Sequence, residues 1–96
     1  MNKAEKRRDR RLRKTYGITL ADYGRMLKAQ KGGCAICGNK PKKRSLDVDH
    51  SHKTGRVRGL LCHRCNRGLG YYYDRPERFR AAARYLARKV AKGLVY

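Results

Sequence analysis

Acidic residues are scarce in this sequence of 96 residues: seven Asp and Glu stand against 27 Lys and Arg, giving a formal net charge of +20. That imbalance opposes compaction by self-repulsion and leaves a polyanion, by default nucleic acid, as the complementary partner. Long apolar runs are also missing. No stretch approaches the roughly 20 apolar residues of a bilayer-spanning helix, which excludes insertion in a membrane. The basic N-terminus has no apolar segment after it, so it does not read as a secretory signal. The expected location is cytoplasmic, where the four cysteines stay reduced and favour metal ligation over disulfides. Length is short as well: one domain, with too little chain to bury a large apolar core.

What is present divides unevenly along the chain. Residues 1–14, "MNKAEKRRDRRLRK", are almost continuously basic, with Leu12 the one large apolar residue besides Met1. Such a segment is expected to be a frayed or disordered arm, occupying 1–15 and ordering on a phosphate backbone ahead of a domain at 16–96, or equally a solvated helix with no specific role. Thr19-x-x-Asp22 resembles a capping box, and Leu20, Tyr23 and Leu27 recur at helical spacing, predicting a helix over about 20–31 that Gly32 and Gly33 end. "NKPKKRS" is a basic loop, while "LDVDH" and "RVRGLL" read as two strands around the turn "SHKTG", an antiparallel hairpin. "HRCNRGLG" is expected to make a short helix weakened by Gly68 and Gly70. After Tyr71, Tyr72 and Tyr73, an Asp74-x-x-Glu77 cap with Pro76 in the first turn should start a helix that runs to about Lys92, with Phe79, Ala82, Ala83, Leu86 and Val90 on its apolar face. The tyrosines read as packing for that helix, or as a platform for unpaired bases. No internal repeat is visible.

Cys34-x-x-Cys37 and Cys62-x-x-Cys65 are two knuckles, each able to aim both thiolates of a tight turn at one ion. Together they predict a structural zinc in a closed four-thiolate shell, with the surrounding Lys and Arg favouring the thiolates. Zinc so enclosed has no open position for substrate or water, so it contributes stability and no chemistry. A zinc-stapled, non-catalytic DNA-binding module would account for all of this.

It would not account for "LDVDHSH". Carboxylates beside a DNA-binding surface repel phosphates unless a divalent cation lies between. Asp49 is placed to hold one, and Asn66, directly after the zinc ligand Cys65, supplies a second, neutral oxygen ligand. Two ligands on a hard cation leave room for water and phosphate oxygens, as a magnesium site in phosphoryl chemistry needs. Histidine ordinarily titrates near neutrality, which makes His50 the natural base for an attacking water. In a regular strand Asp49 and His50 point to opposite faces, so both reach one phosphate only if the strand ends or bulges there. Asp47 shares the nominal face of Asp49 but reads equally well as a strand residue paired with Lys or Arg. His52 is expected to orient the base, contact phosphate or sit solvated in the turn. His63, Arg56 and Arg58 are candidates for contact with the phosphate backbone, His63 alternatively for the zinc.

At these residues the sequence resembles the phage recombination endonuclease VII family of HNH (His-Me finger) nucleases. "CAICG", "LDVDHSHKTGRVRGLLCHRCNRGLG" and "DRPERFRAAARYL" carry the likeness, over roughly 16–86. The resemblance implies an α+β fold: a small zinc-stapled ββα-metal core with flanking helices. It also implies hydrolysis of DNA phosphodiesters to 5′-phosphate and 3′-hydroxyl ends. Cys34, Cys37, Cys62 and Cys65 match the family's zinc ligands, Asp49 and Asn66 its catalytic magnesium (or manganese) ligands, His50 its general base and His52 a second active-site histidine. Ser51 stands where many relatives carry an acidic residue, and Leu69 and Gly70 where others have a further His or acid, implying two protein ligands for the catalytic metal. The family's junction-resolving member has a longer C-terminal region used for dimerisation, whereas this sequence stops one helix after the active-site residues. The expectation is therefore a monomeric, metal-dependent endodeoxyribonuclease, with a dimeric Holliday-junction resolvase as the alternative within its class.

Overall fold

The computed structural model describes residues 1–88. In chain order it holds α1 (Lys3–Tyr16), α2 (Leu20–Ala29), β1 (Asp47–His50), β2 (Val57–Leu61), α3 (His63–Tyr71) and α4 (Pro76–Ala87). The architecture is α+β: four helices and one two-stranded antiparallel sheet among the described residues.

The basic arm is a helix, which corrects the expectation of a frayed or disordered segment. Asn2 and Glu5 form a reciprocal capping box, and Gly17, left-handed at φ 73°, closes the other end. Leu12 inserts into the core, and the Asp9 carboxylate accepts the Leu20 N–H at the start of α2 as well as the Arg13 guanidinium, each at 2.8 Å. Charge composition alone could not reveal that one leucine and one aspartate dock the segment.

The second helix starts on the expected Thr19–Asp22 capping box. The N–H donors at Leu20 and Thr19 hold the Asp9 and Asp22 carboxyls below the ordinary value of 3.8. These caps contribute fully above that value and are lost as pH falls through the lowered folded values.

The core is small: Leu12, Tyr23, Cys34, Leu46, Val48, Leu60 and Leu61 are buried, and Leu60 has no exposure at all. Tyr23 crosses it, stacked under the Arg8 guanidinium at 4.5 Å and donating its hydroxyl to the Leu46 carbonyl at 2.7 Å.

In the hairpin Asp47 pairs with Leu61, Val48 with Leu60 and Asp49 with Gly59, but His50 pairs with Val57. The register shift leaves Arg58, on β2, as the extra residue of a β-bulge, while β1 itself ends at His50, as the sequence allowed. Gln30, at the end of α2, behaves as a piece of a third strand. Its amide accepts the Leu60 N–H at 2.9 Å and donates to the Leu60 and Gly33 carbonyls at 2.9 and 2.8 Å.

α4 differs from expectation at both ends. Asp74 is not its cap; Arg75 occupies that position without a side-chain hydrogen bond, and Pro76 opens the helix. The Asp74 carboxylate is instead taken by Arg58 at 3.2 Å. The helix ends at Ala87, with Arg88 extended; Val90 and Lys92, expected within it, lie outside the described residues. Its apolar face is poorly covered, with Phe79 half-buried and Leu86 81% exposed.

If Leu12 docks the arm, Leu12→Ala should lower the unfolding free energy by about 2–5 kcal/mol. Urea titration followed by circular dichroism measures this; a shift below about 0.5 kcal/mol would mean that α1 contributes nothing to the core.

Candidate metal and nucleic-acid site

The four cysteines converge. Their sulfurs all lie within 4.8 Å of one another, and Cys37 and Cys62 are 3.8 Å apart. A tetrahedron of thiolates about 2.3 Å from a zinc ion has edges of about 3.8 Å, so the cluster can hold zinc. Backbone N–H groups of Ile36, Asn39 and Cys65 point at the sulfurs of Cys34, Cys37 and Cys62 at 3.4–3.5 Å, as knuckles require. The first knuckle is closed by an approach so tight that a Cβ on Gly33 would meet the Gly38 carbonyl oxygen at 2.3 Å. Burial raises the Cys34 thiol, but surrounding backbone donors outweigh it and bring it down to about 6. Burial and the neighbouring sulfurs push Cys65 up to about 12.

Cys62 directly follows β2 and caps α3, its sulfur accepting the Cys65 N–H. The clamp thereby fixes where α3 begins, and with it His63 and Asn66 on the helix facing β1.

The hairpin carries its polar side chains in separate groups. Asp47, partly buried, is an acceptor for Arg44 at 3.0 Å, lies 3.2 Å from His63 Nδ1, and meets the Asn66 amide nitrogen at 3.5 Å. Asp47 therefore does pair with an arginine, and it also ties β1 to α3. His63 contacts Asp47 and is not among the four residues of the sulfur cluster. The Asn66 side-chain oxygen has no hydrogen-bond partner among the described residues.

Asp49 is buried, at 8% exposure. Arg58 grips it with Nε at 2.8 Å and a terminal nitrogen at 3.0 Å, and extends that terminal nitrogen to Asp74 at 3.2 Å. The Asp49 hydrogen bond, more than the opposing burial, raises the Arg58 pKa. Arg58 is thus bound between two carboxylates, a role its expected place on the phosphate backbone did not include. The bulge is the cause: an extra residue at the centre of the ladder turns this side chain toward Asp49.

His50 lies apart from Asp49, with its ring 5.5 Å from Tyr16 and 5.0 Å from His52. No hydrogen bond links His50 to Asp49 or Asn66 among the described residues. His52 is exposed in the turn, whose Ser51 hydroxyl accepts the N–H groups of Lys53 and Thr54 at 3.2 Å. Arg56 is exposed, and its side chain has no polar partner among the described residues. Three residues escaped the sequence reading: Gln30, which hydrogen-bonds β2; Tyr16, which carries the His50 ring; and Asp74, which completes the Arg58 clamp. None has a periodicity or spacing that announces its role.

No helix among the described residues is long and apolar enough to cross a membrane. The family model described as recombination endonuclease VII matches residues 9–88. The chain is 49% identical over 78 residues to the "Gene 59 protein" of Mycobacterium phage L5, covering 79% of this chain and 48% of that protein. It is 45% identical over 83 residues to the "Gene 59 protein" of Mycobacterium phage D29, covering 84% and 50%. The chain therefore spans about half the length of these curated relatives.

For the sulfur cluster the expected outcome is direct. Cys65→Ser should abolish stoichiometric zinc binding, read by elemental analysis of the purified protein, and lower the melting temperature by more than about 10 °C. Full zinc retention with an unchanged melt would remove the clamp from the account of stability.

Proposed function

Because this chain belongs to the recombination endonuclease VII family, we propose that it is a metal-dependent endodeoxyribonuclease of the HNH type. The coarser statement, a nuclease whose partner is DNA, follows from the family. The finer one is carried by one observation: β1 ends at His50, the residue after Asp49, beside α3 and its Asn66, so the two side chains are not held to opposite faces of a continuing strand.

The donor chemistry fits a hard divalent cation. Asp49 contributes a carboxylate and Asn66 an amide oxygen that makes no other hydrogen bond among the described residues. Arg58 takes both Asp49 oxygens, so a cation on Asp49 would have to displace one of these hydrogen bonds, with Asp74 remaining as the guanidinium's second carboxylate. A magnesium or manganese ion on Asp49 and Asn66 would supply neutralisation of charge on the phosphate and the departing 3′-oxygen.

The protein's own groups do the rest. His50 takes a proton from the attacking water, and its ring is oriented by Tyr16 on one side and His52 on the other. Asp47 fixes Asn66 and His63 on α3. The sulfur cluster, holding a structural zinc, sets the start of that helix and acts through position alone. The N-terminal helix and the basic loop after the first knuckle bind the phosphate backbone, so affinity should fall with salt and depend weakly on sequence.

The test is cleavage of supercoiled plasmid and of a four-way junction at low salt, by wild type and His50→Ala, with and without magnesium. Bound zinc is verified in both proteins first. Magnesium-dependent cleavage that falls about 10²–10⁴-fold in His50→Ala, while DNA binding persists, is expected. Binding without cleavage of either DNA by zinc-loaded wild type would favour a non-catalytic DNA-binding module. Cleavage confined to the junction, together with a dimer in sedimentation, would favour a resolvase.

A further inference from the structure

The turn between α3 and α4 is built in a way the proposed hydrolysis does not explain. Tyr71 and Tyr73 are 68% and 75% exposed. Of the three tyrosines read as packing for the last helix or as a base platform, Tyr72 meets its apolar face, edge-on to Phe79 at 5.1 Å. Tyr73 and Asp74 both adopt left-handed backbone, at φ 54° and 57°. Two consecutive residues other than glycine in that conformation are strained, and such strain persists only where the surroundings impose it. Here they do. The Tyr73 N–H bonds the Gly70 carbonyl and the Asp74 N–H the Leu69 carbonyl, each at 3.0 Å, and Arg58 holds the Asp74 carboxylate.

The outcome is a tyrosine displayed to solvent on a rigid support that runs through Arg58 to Asp49. Tyr73 also lines a cleft shared with His52, Lys53 and Arg75. The exposed rings carry guanidinium groups against them: Arg78 lies 5.9 Å from the Tyr73 ring centroid, and Arg67 lies 5.8 Å from that of Tyr71. Aromatic faces interleaved with Arg are the pattern of surfaces that stack unpaired bases while pairing their phosphates.

We propose that this turn is a stacking platform for an unpaired nucleobase, with Tyr73 as its principal ring, so that the protein prefers DNA in which a base has left the helix beside the bound backbone. The inference deepens the nuclease reading and rests on it for DNA as the partner. Charge decides the occupant. From Arg64 to Arg84 the segment carries six arginines against Asp74 and Glu77, and Asp74 is already engaged by Arg58. A second copy of the same surface would oppose like charges, whereas a nucleic-acid strand supplies both the negative charge and the flat faces.

Tyr73→Gly is the informative variant, because glycine accepts the left-handed backbone without strain and removes only the ring. Tyr73→Phe keeps a stacking face. Both are compared with wild type, without magnesium, on a duplex with one unpaired 2-aminopurine and on the same duplex fully paired. Wild type should bind the unpaired DNA about 5- to 100-fold more tightly and quench the 2-aminopurine. Tyr73→Phe should retain both effects and Tyr73→Gly should lose both, with paired-duplex affinity unchanged. Equal preference and quenching in wild type and Tyr73→Gly would overturn the proposal, as would an equal loss on both DNAs. The nuclease reading fails separately: a wild type that cuts nothing yet discriminates the unpaired base leaves the platform standing, and one that cuts without discriminating removes only the platform.

Discussion

Everything in this structure depends on the convergence of four sulfurs. The apolar core is too small to order a chain of this charge by burial alone, with Leu60 its one wholly enclosed side chain. The cysteine cluster ties the loop after α2 to the end of β2 and the start of α3. It therefore positions, through one local constraint, the hairpin and the helix that face each other across the candidate site. Gln30 reinforces the same junction from α2 by bonding both backbone groups of Leu60. A cation in the cluster would make its binding part of the folding free energy.

A second constraint is electrostatic. A chain with so few carboxylates uses nearly all of those described for positioning. Asp9 and Asp22 hold the first two helices by their ends, Asp47 links β1 to α3, and Asp49 and Asp74 share Arg58. The two acids on β1 therefore have separate roles. Asp47 is structural through its hydrogen bonds, and Asp49 is buried against a single guanidinium, where a change of cation would be felt at once. His50, at the end of β1, lies against the rings of Tyr16 and His52.

Much of this was legible beforehand. The two C-x-x-C knuckles, the hairpin, the cap at Thr19 and the helix that begins at His63 are local: each depends on residues within a few positions, where turn chemistry and periodicity decide the outcome. The family signature was legible for the same reason, since the cysteines and the Asp-His-x-His run are short patterns. Errors came where a local rule met a distant partner. Asp74 looked like a cap and was drawn away by Arg58, which is far from it in sequence. The arm looked unstructured because its docking depends on a few scattered residues, Arg8, Asp9, Leu12 and Tyr16, with no apolar periodicity among them.

The sequence by itself determined the charge, the sulfur ligands, the secondary structure of the central hairpin and helix, and the family, because these follow from composition and short-range spacing. Only the tertiary structure decided which residue would be the extra one in the bulge. It also decided that Arg58 would join Asp49 to Asp74, and that Tyr73 would stand exposed in place of packing. Those outcomes compare competing long-range contacts of similar energy, and the winner depends on which groups the fold brings within a few ångströms of each other.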